Sequence, residues 1–188
     1  MELPMRFPRI IATFIALTLL AAACSDDGDA GNTINLGDNG LAPSIDDIQV
    51  DVRDGSTRGL EFATFDNEPV GFDQYLGEPL VINFFAQWCV NCVQEMPAFE
   101  RISAEFADEV TFLGISIDED PADALELVAT TGVTYDVGWD PSEELYAHFQ
   151  GLSMPTTVFV DAAGNVQRVW SGVLDDDSLR DRIDEDLL

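Results

Sequence analysis

Residues 80–92 read Leu-Val-Ile-Asn-Phe-Phe-Ala-Gln-Trp-Cys-Val-Asn-Cys, and this stretch decides the fold. The apolar run Leu80–Phe85 is typical of a strand that is buried on both faces at the centre of an α/β sheet. Cys89 and Cys92 follow it, separated by two residues, where the strand gives way to a predicted helix, Val90–Ala107. A pair of cysteines with this spacing at a strand-to-helix junction indicates dithiol–disulfide chemistry.

The position of each cysteine in the predicted helix assigns it a role. Cys89 is expected at the helix N-terminus, with Cys92 in the first turn and close enough to form a disulfide with it. Unpaired backbone N–H groups and the positive end of the helix dipole stabilise a thiolate there. Because the thiolate is the attacking species in disulfide exchange, Cys89 is the predicted nucleophile and Cys92 the resolving thiol. An inert structural disulfide is disfavoured, because closing so short a loop constrains the unfolded chain very little.

Metal binding is the main alternative use of such a pair. A four-cysteine zinc site uses two CxxC pairs, whereas this chain offers only Cys24 and His148 as further ligands of that kind. No metal site is therefore predicted. A Cu(I) carrier stays open as an alternative, because Met96 and Met154 could supply soft sulfur ligands. A peroxidase is disfavoured, because residues 83–89 lack a Pro-x-x-x-Thr-x-x-Cys arrangement around the reactive thiol.

Residues 1–23 are interpreted as a lipoprotein signal peptide. Arg6 and Arg9 form a positive region, and Ile10–Ala23 is free of charge but too short for a membrane-spanning helix, which needs about 20 apolar residues. The small residues before Cys24 resemble the bacterial lipoprotein signal, in which this cysteine is lipidated and becomes the new N-terminus. An ordinary cleaved signal with a stray thiol is the alternative. Lipidation predicts an exported protein on the extracytoplasmic face of the cell membrane.

Composition divides the remaining chain and excludes one class of partner. Residues 24–40 are rich in Asp, Gly and Asn and predict a disordered tether, whereas residues 41–188 have the size of a single domain. The net charge is −28, and all eight basic residues are arginines. Such a surface does not bind nucleic acid by electrostatic attraction, so no nucleic-acid partner is predicted.

The order of elements along residues 41–188 predicts an α/β fold. After short strands near the start, the pattern is βαβ, a helical segment, and then ββα. The predicted strands are Val50–Asp54, Gly59–Phe65, Glu68–Phe72, Leu80–Phe85, Val110–Ile117, Thr156–Asp161 and Asn165–Trp170. Besides the helix that follows the first cysteine, the predicted helices are Ala122–Thr131, a short one from Pro141 to near Phe149, and Asp175–Leu187.

From about Ala42 to its end, the chain resembles the TlpA/ResA-like branch of membrane-anchored thioredoxins. The resemblance depends on the Phe-Phe-Ala-Gln-Trp-Cys-x-x-Cys turn, on Glu95 and Pro97, on Pro155 before a strand, and on the extra segment Asp118–Ser153. It implies a thioredoxin fold, in which helices flank a central mixed β-sheet. It also implies an N-terminal β extension and a helical insertion before a cis-proline loop.

The resemblance also implies roles for residues around the cysteines. Pro155 is the expected cis-proline facing the disulfide, and it shapes the loop so that Met154 backbone groups can pair with an extended substrate. Thr156 and Trp88 are the other expected substrate-binding residues, although core packing is an alternative for the tryptophan. Glu95 is expected to act beside the thiols and to move a proton, with an exposed acid in the first helical turns as the alternative.

Asn83 departs from the pattern of plain thioredoxins, many of which bury an aspartate six residues before the first cysteine. An amide cannot accept a proton from Cys92 as a carboxylate can. If a protein acid takes that role in this chain, Glu95 is the better candidate.

The predicted function is therefore thiol–disulfide exchange without a separate cofactor. The resemblance implies reduction of disulfides in other exported proteins, apocytochrome c among them. Electrons would come from a membrane protein of the thiol-reductant-relay type. A disulfide-forming oxidase stays open, because the reduction potential decides the direction and related folds span about −270 to −120 mV.

Overall fold

One mixed sheet of seven strands organises residues 55–188, the part of the chain that this computed structural model describes. The predicted signal peptide, tether, Val50–Asp54 strand and Cys24 lie outside the described residues. The strands are β1 (Glu61–Ala63), β2 (Pro69–Gly71), β3 (Leu80–Phe85), β4 (Thr111–Ser116), β5 (Asp136–Trp139), β6 (Thr156–Val160) and β7 (Val166–Ser171). The helices are α1 (Val90–Glu105), α2 (Pro121–Thr131), α3 (Glu144–His148) and α4 (Asp176–Asp186).

The strands follow the order β2-β1-β5-β4-β3-β6-β7 across the sheet. β3, β4 and β5 are parallel, whereas β6 and β7 extend one edge and β1 and β2 the other in antiparallel pairings. Phe99 and Ile102 of α1 pack with buried residues of α4 in one apolar cluster. Cys92 and Met96 of α1 belong to the other cluster, together with buried residues of α2 and α3. This arrangement is the predicted thioredoxin fold, with β1 and β2 as its N-terminal β extension.

β3 lies in the interior of the sheet, as its sequence, apolar except for Asn83, predicts. All six of its residues are buried, and β4 and β6 pair with its two edges. The carboxyl end of this strand leads through Ala86–Trp88 directly into α1, so the sheet fixes where the first cysteine lies.

Local sequence explains where α2 begins and ends. The Asp120 side chain accepts a hydrogen bond from the backbone N–H of Ala122 at 2.9 Å, and Pro121 is the first helical residue. Both features satisfy or remove N–H groups that a helix start leaves unpaired. Gly132 ends the helix with a φ of 75°, a left-handed conformation that glycine adopts without steric cost.

The segment before the cis-proline loop contains a strand that the sequence analysis did not predict. β5 is only four residues long and includes Gly138, so its pattern is too weak to be recognised. A Cβ at this glycine would lie 2.3 Å from a ring carbon of Phe62, so β1 can pack against β5 only because no side chain is present. Among residues 55–188, no helix has the length and apolar character to cross a bilayer.

Candidate active site

The two cysteines form a disulfide at the start of α1. Their Sγ atoms are 2.09 Å apart. Cys89 occupies the N-cap position, and its Sγ accepts a hydrogen bond from the backbone N–H of Cys92 at 3.1 Å. The exposed fraction is 6% for Cys89 and 0% for Cys92. Only Cys89 therefore offers its sulfur to an approaching molecule, which agrees with the predicted order of attack.

A cleft of about 520 Å³ opens over Cys89. Its walls come from the active-site turn, from the loop before β6 and from α3, and its lining includes Trp88, Val90, Tyr146, Leu152 and Met154. Trp88 is 63% exposed, so the alternative that it fills the core is wrong. An open cleft with exposed apolar walls beside a single sulfur suits a peptide segment that carries a cysteine.

The loop before β6 forms the other side of the cleft. The Met154–Pro155 peptide bond is cis, as the resemblance implies. Met154 lines the cleft together with Cys89. Thr156 is fully buried, and its hydroxyl donates to the backbone oxygen of Ser153 at 2.7 Å. The structure therefore places the Thr156 side chain beneath the loop and not in the cleft.

Glu95 is buried, so the alternative of an exposed acid on α1 is wrong. Its carboxylate accepts hydrogen bonds from Asn83 Nδ2 at 2.8 Å and from the backbone N–H of Leu174 at 3.1 Å. Burial raises the pKa of Glu95 to about 8, although these two hydrogen bonds oppose the rise. At neutral pH, Glu95 is therefore protonated in most molecules. Glu95 lies three residues after Cys92 on the same helix, a spacing that makes them neighbours.

Asp118 is a residue of the site that the sequence analysis counted only as the start of the insertion. Both of its carboxylate oxygens accept from the backbone N–H of Gln87, at 3.1 and 3.0 Å, and the Ser116 hydroxyl donates to one of them at 3.0 Å. The Trp139 indole donates to the Asp118 backbone oxygen at 2.7 Å. Asp118 thus ties the turn before Cys89 to β4 and β5. A Ser-x-Asp pattern ending a buried strand was the available signal.

We expect the Asp118→Ala variant to lose stability, because it leaves the Gln87 N–H and the Ser116 hydroxyl without their acceptor. The loss should be about 1–3 kcal/mol in the free energy of unfolding, measured by urea denaturation of the oxidised protein. Glu126→Ala, which changes an exposed acid of α2, is the control. Equal urea midpoints for the two variants would show that Asp118 does not hold the turn.

The soft ligands proposed for copper do not meet at the disulfide surface. Met96 is fully buried in the core cluster, whereas Met154 lines the cleft. His148 is exposed on α3, outside this cleft. Among residues 55–188, no group of three or more His, Cys, Asp or Glu side chains is placed to hold a metal ion.

Comparison with known proteins agrees with this geometry. The model of the AhpC/TSA family matches residues 57–169, which is more than half of the chain. The chain belongs to the AhpC/TSA family. Within it, the chain is a TlpA/ResA-like thiol–disulfide oxidoreductase with a thioredoxin-like fold.

Three relatives of this AhpC/TSA family protein illustrate the match. Thioredoxin-like protein YneN of Bacillus subtilis is 26% identical over 126 residues, covering 65% of this chain and 74% of that protein. Thiol-disulfide oxidoreductase ResA of Oceanobacillus iheyensis is 27% identical over 115 residues, covering 61% of this chain and 60% of ResA. The solved structure of MTB dsbF, in mixed oxidized and reduced forms, is 28% identical with a TM-score of 0.63, covering 70% of this chain and 97% of that one. The chain thus spans less than two thirds of ResA's length.

Proposed function

We propose that this protein is an exported, membrane-tethered oxidoreductase that reduces disulfides in other exported proteins. The observation that carries the proposal is the Cys89–Cys92 disulfide at the N-terminus of α1, with one sulfur open to a cleft that Met154 also lines. Apocytochrome c, whose cysteines must be reduced before haem attachment, is one substrate of this class that the resemblance implies. A membrane thiol-reductant relay protein supplies the electrons.

The reaction proceeds by two exchanges of sulfur partners. In the reduced enzyme, the Cys89 thiolate attacks one sulfur of a substrate disulfide, and the other substrate sulfur leaves as a thiolate and takes up a proton. The Cys92 thiolate then attacks the Cys89 sulfur of the mixed disulfide. The second substrate sulfur leaves and is protonated, and the Cys89–Cys92 disulfide forms. Two electrons pass from the enzyme to the substrate, and the relay protein later returns two.

Glu95 serves the second step in this proposal. Cys92 must lose its proton before it attacks, and it is buried, so water is a poor acceptor for that proton. Glu95 is the buried acid one turn further along α1, and a pKa of about 8 lies close to that of a thiol. The ionised carboxylate takes the proton in the reducing direction, and the protonated carboxyl returns one when the enzyme disulfide is opened.

Substrate binding is proposed to use the two sides of the cleft. The backbone groups of Met154 pair with an extended segment of the substrate, and the ring of Trp88 covers its apolar side chains. Pro155 keeps the loop in the shape that presents Met154. Thr156 contributes by holding the backbone of Ser153, and not by touching the substrate.

The direction of electron flow is tested by the equilibrium of the two cysteines with glutathione. A reductant is expected to have a potential near −270 mV, the value for thioredoxin, and an oxidase one near −120 mV. The ratio of dithiol to disulfide, read by mass after thiol alkylation in defined glutathione buffers, gives the value. A potential at the oxidising end would assign the protein to disulfide formation and overturn the reductant proposal.

Membrane attachment is proposed to depend on a lipid at Cys24. We expect Cys24→Ser to abolish lipidation, so that the protein leaves the membrane fraction, whereas Ser25→Ala should leave attachment unchanged. Immunoblots of membrane and soluble fractions from cells expressing each variant measure the distribution. Equal membrane association of both variants would contradict the lipid anchor and favour an ordinary cleaved signal or another form of attachment.

A further inference from the structure

Four buried side-chain polar atoms in residues 55–188 have no hydrogen-bond partner. They are Asn83 Oδ1, Thr157 Oγ1, Trp170 Nε1 and Tyr135 Oη. Native proteins leave few buried polar groups unpaired, because each one costs free energy. Three of the four belong to neighbouring strands of the sheet: Asn83 to β3, Thr157 to β6 and Trp170 to β7.

The strand register brings these three residues together in one row. Asn83 of β3 is the pairing partner of Thr157 of β6, and Thr157 is in turn the partner of Trp170 of β7. Residues that pair directly across antiparallel strands project to the same face, with Cβ atoms about 5 Å apart. The row therefore lies on one face of the sheet, with Asn83 at the end nearest α1.

Glu95 lies at the end of this row. The Asn83 Nδ2–H group donates a hydrogen bond to Glu95 Oε1, with the two atoms 2.8 Å apart, and both residues are buried. Trp170 is held at the other end of the row by Arg182, whose guanidinium carbon lies 5.7 Å from the centroid of the Trp170 ring. The row thus begins at an anchored donor and ends at the buried acid.

The hydrogen-bonding capacities of the row match in one direction. The Trp170 indole can only donate, the Thr157 hydroxyl both donates and accepts, and Asn83 accepts at Oδ1 while it donates at Nδ2. We propose that Trp170, Thr157 and Asn83 form a continuous chain of hydrogen bonds across β7, β6 and β3 that ends on the Glu95 carboxylate. The two bonds at Thr157 are open in the structure, and they close by rotation of side-chain torsions.

This chain makes Thr157 and Trp170 positioning residues for Glu95. Each donor in the row polarises the next, so the bond that reaches the carboxylate is strengthened. The stronger hydrogen bond stabilises the ionised form of Glu95 more than the protonated form. The pKa of Glu95 is therefore lower than it would be from burial alone. Tyr135 is a titratable neighbour of Glu95, and its pKa is raised by burial and by the charges of Glu95 and Glu100. On α1, Cys92 lies one turn before Glu95 and is held in the disulfide.

The test is the pKa of Glu95 in the oxidised protein, in which the cysteines do not titrate. It is followed by the NMR signal of a labelled glutamate carboxyl carbon, assigned with Glu95→Gln. We expect Thr157→Val to raise the pKa of Glu95 by about half a unit or more, because valine cannot pass the hydrogen bond on. Thr157→Ser should restore the wild-type pKa, and Trp170→Phe should raise it by a smaller amount.

Thr156→Val is the matched control, because Thr156 is the neighbouring buried threonine of β6 and its hydroxyl bonds to the Ser153 oxygen instead. It should leave the pKa of Glu95 unchanged. The hydrogen-bond chain would be overturned if Glu95 kept its wild-type pKa in Thr157→Val. It would also be overturned if the pKa of Glu95 in Thr157→Ser equalled that in Thr157→Val. Should the valine variant not fold, a wild-type pKa in Trp170→Phe overturns it.

The chain deepens the proposed role of Glu95, but its test needs no turnover. If the hydrogen-bond chain is rejected, the proposed thiol chemistry of Cys89 and Cys92 still stands. That chemistry is measured separately, by the rate at which the enzyme reduces the disulfides of insulin. A failed insulin assay likewise leaves the pKa measurement standing. The two proposals can therefore be rejected separately.

Discussion

Cys89→Ser should reduce insulin no faster than the dithiothreitol in the assay does without enzyme. The substitution removes the only sulfur of the pair that lines the cleft, while the serine oxygen still accepts the hydrogen bond from the Cys92 N–H. A hydroxyl does not form a mixed disulfide, so no later step can follow. The measurement is insulin turbidity against time at a fixed concentration of dithiothreitol.

Cys92→Ser is the matched comparison, and it should behave differently. It keeps the attacking sulfur but lacks the thiol that resolves the mixed disulfide. We expect a single stoichiometric reaction, with the substrate held on Cys89 and released by added thiol. Mass spectrometry under non-reducing conditions detects the adduct. A Cys89→Ser variant that turns over, or adducts on Cys92 instead of Cys89, would contradict the assigned order of attack.

Glu95→Gln should change how the stability of the oxidised protein depends on pH. The pKa of Glu95 is about 8 in the folded protein and 4.5 as its ordinary value. Between these values the folded state holds a proton that the unfolded state has lost. Stability is therefore fully present below pH 4.5 and falls as the pH rises to 8. The loss totals on the order of 5 kcal/mol at about 1.4 kcal/mol per pH unit.

Glutamine stays neutral at every pH, so the variant should not show this loss in the free energy of unfolding as the pH rises. The difference in free energy of unfolding, variant minus wild type, should increase between pH 5 and 8 and then level off. Urea denaturation at several pH values measures it. Glu109→Gln removes the charge of an exposed acid and serves as the control, with a difference that stays flat. A flat difference for Glu95→Gln as well would mean that Glu95 is ionised at neutral pH.

The fold was predictable because its central elements have strong local signals. Leu80–Phe85 is apolar except for Asn83, and the CxxC spacing marks the start of the helix that follows. Asp120 and Gly132 likewise mark the ends of α2. β5 escaped prediction because its four residues gain their stability from pairing with β4 and from the absence of a side chain at Gly138. Such contacts depend on segments that are distant in the sequence.

The candidate site was predictable in its sulfur chemistry but not in its supporting residues. Spacing alone placed Cys89 nearer to solvent than Cys92. Whether Glu95 is exposed or buried could not be decided, because α1 presents polar residues on several sides and the packing of the turn before α4 determines the outcome. Asp118 had only the weak Ser-x-Asp signal, because its contact with Gln87 joins segments that are distant in the sequence. The neighbours of Thr157 are set by strand register, which no short pattern encodes.

The proposed function requires Cys89 and Cys92 to exchange electrons reversibly with disulfides in other proteins. It is tested most directly by mixing the purified, fully reduced protein with insulin, without any other thiol, and following both partners by mass. We expect one insulin disulfide to be cleaved for each Cys89–Cys92 disulfide formed. Persistence of the dithiol beside intact insulin, together with failure of the oxidised protein to oxidise a dithiol peptide, would contradict it.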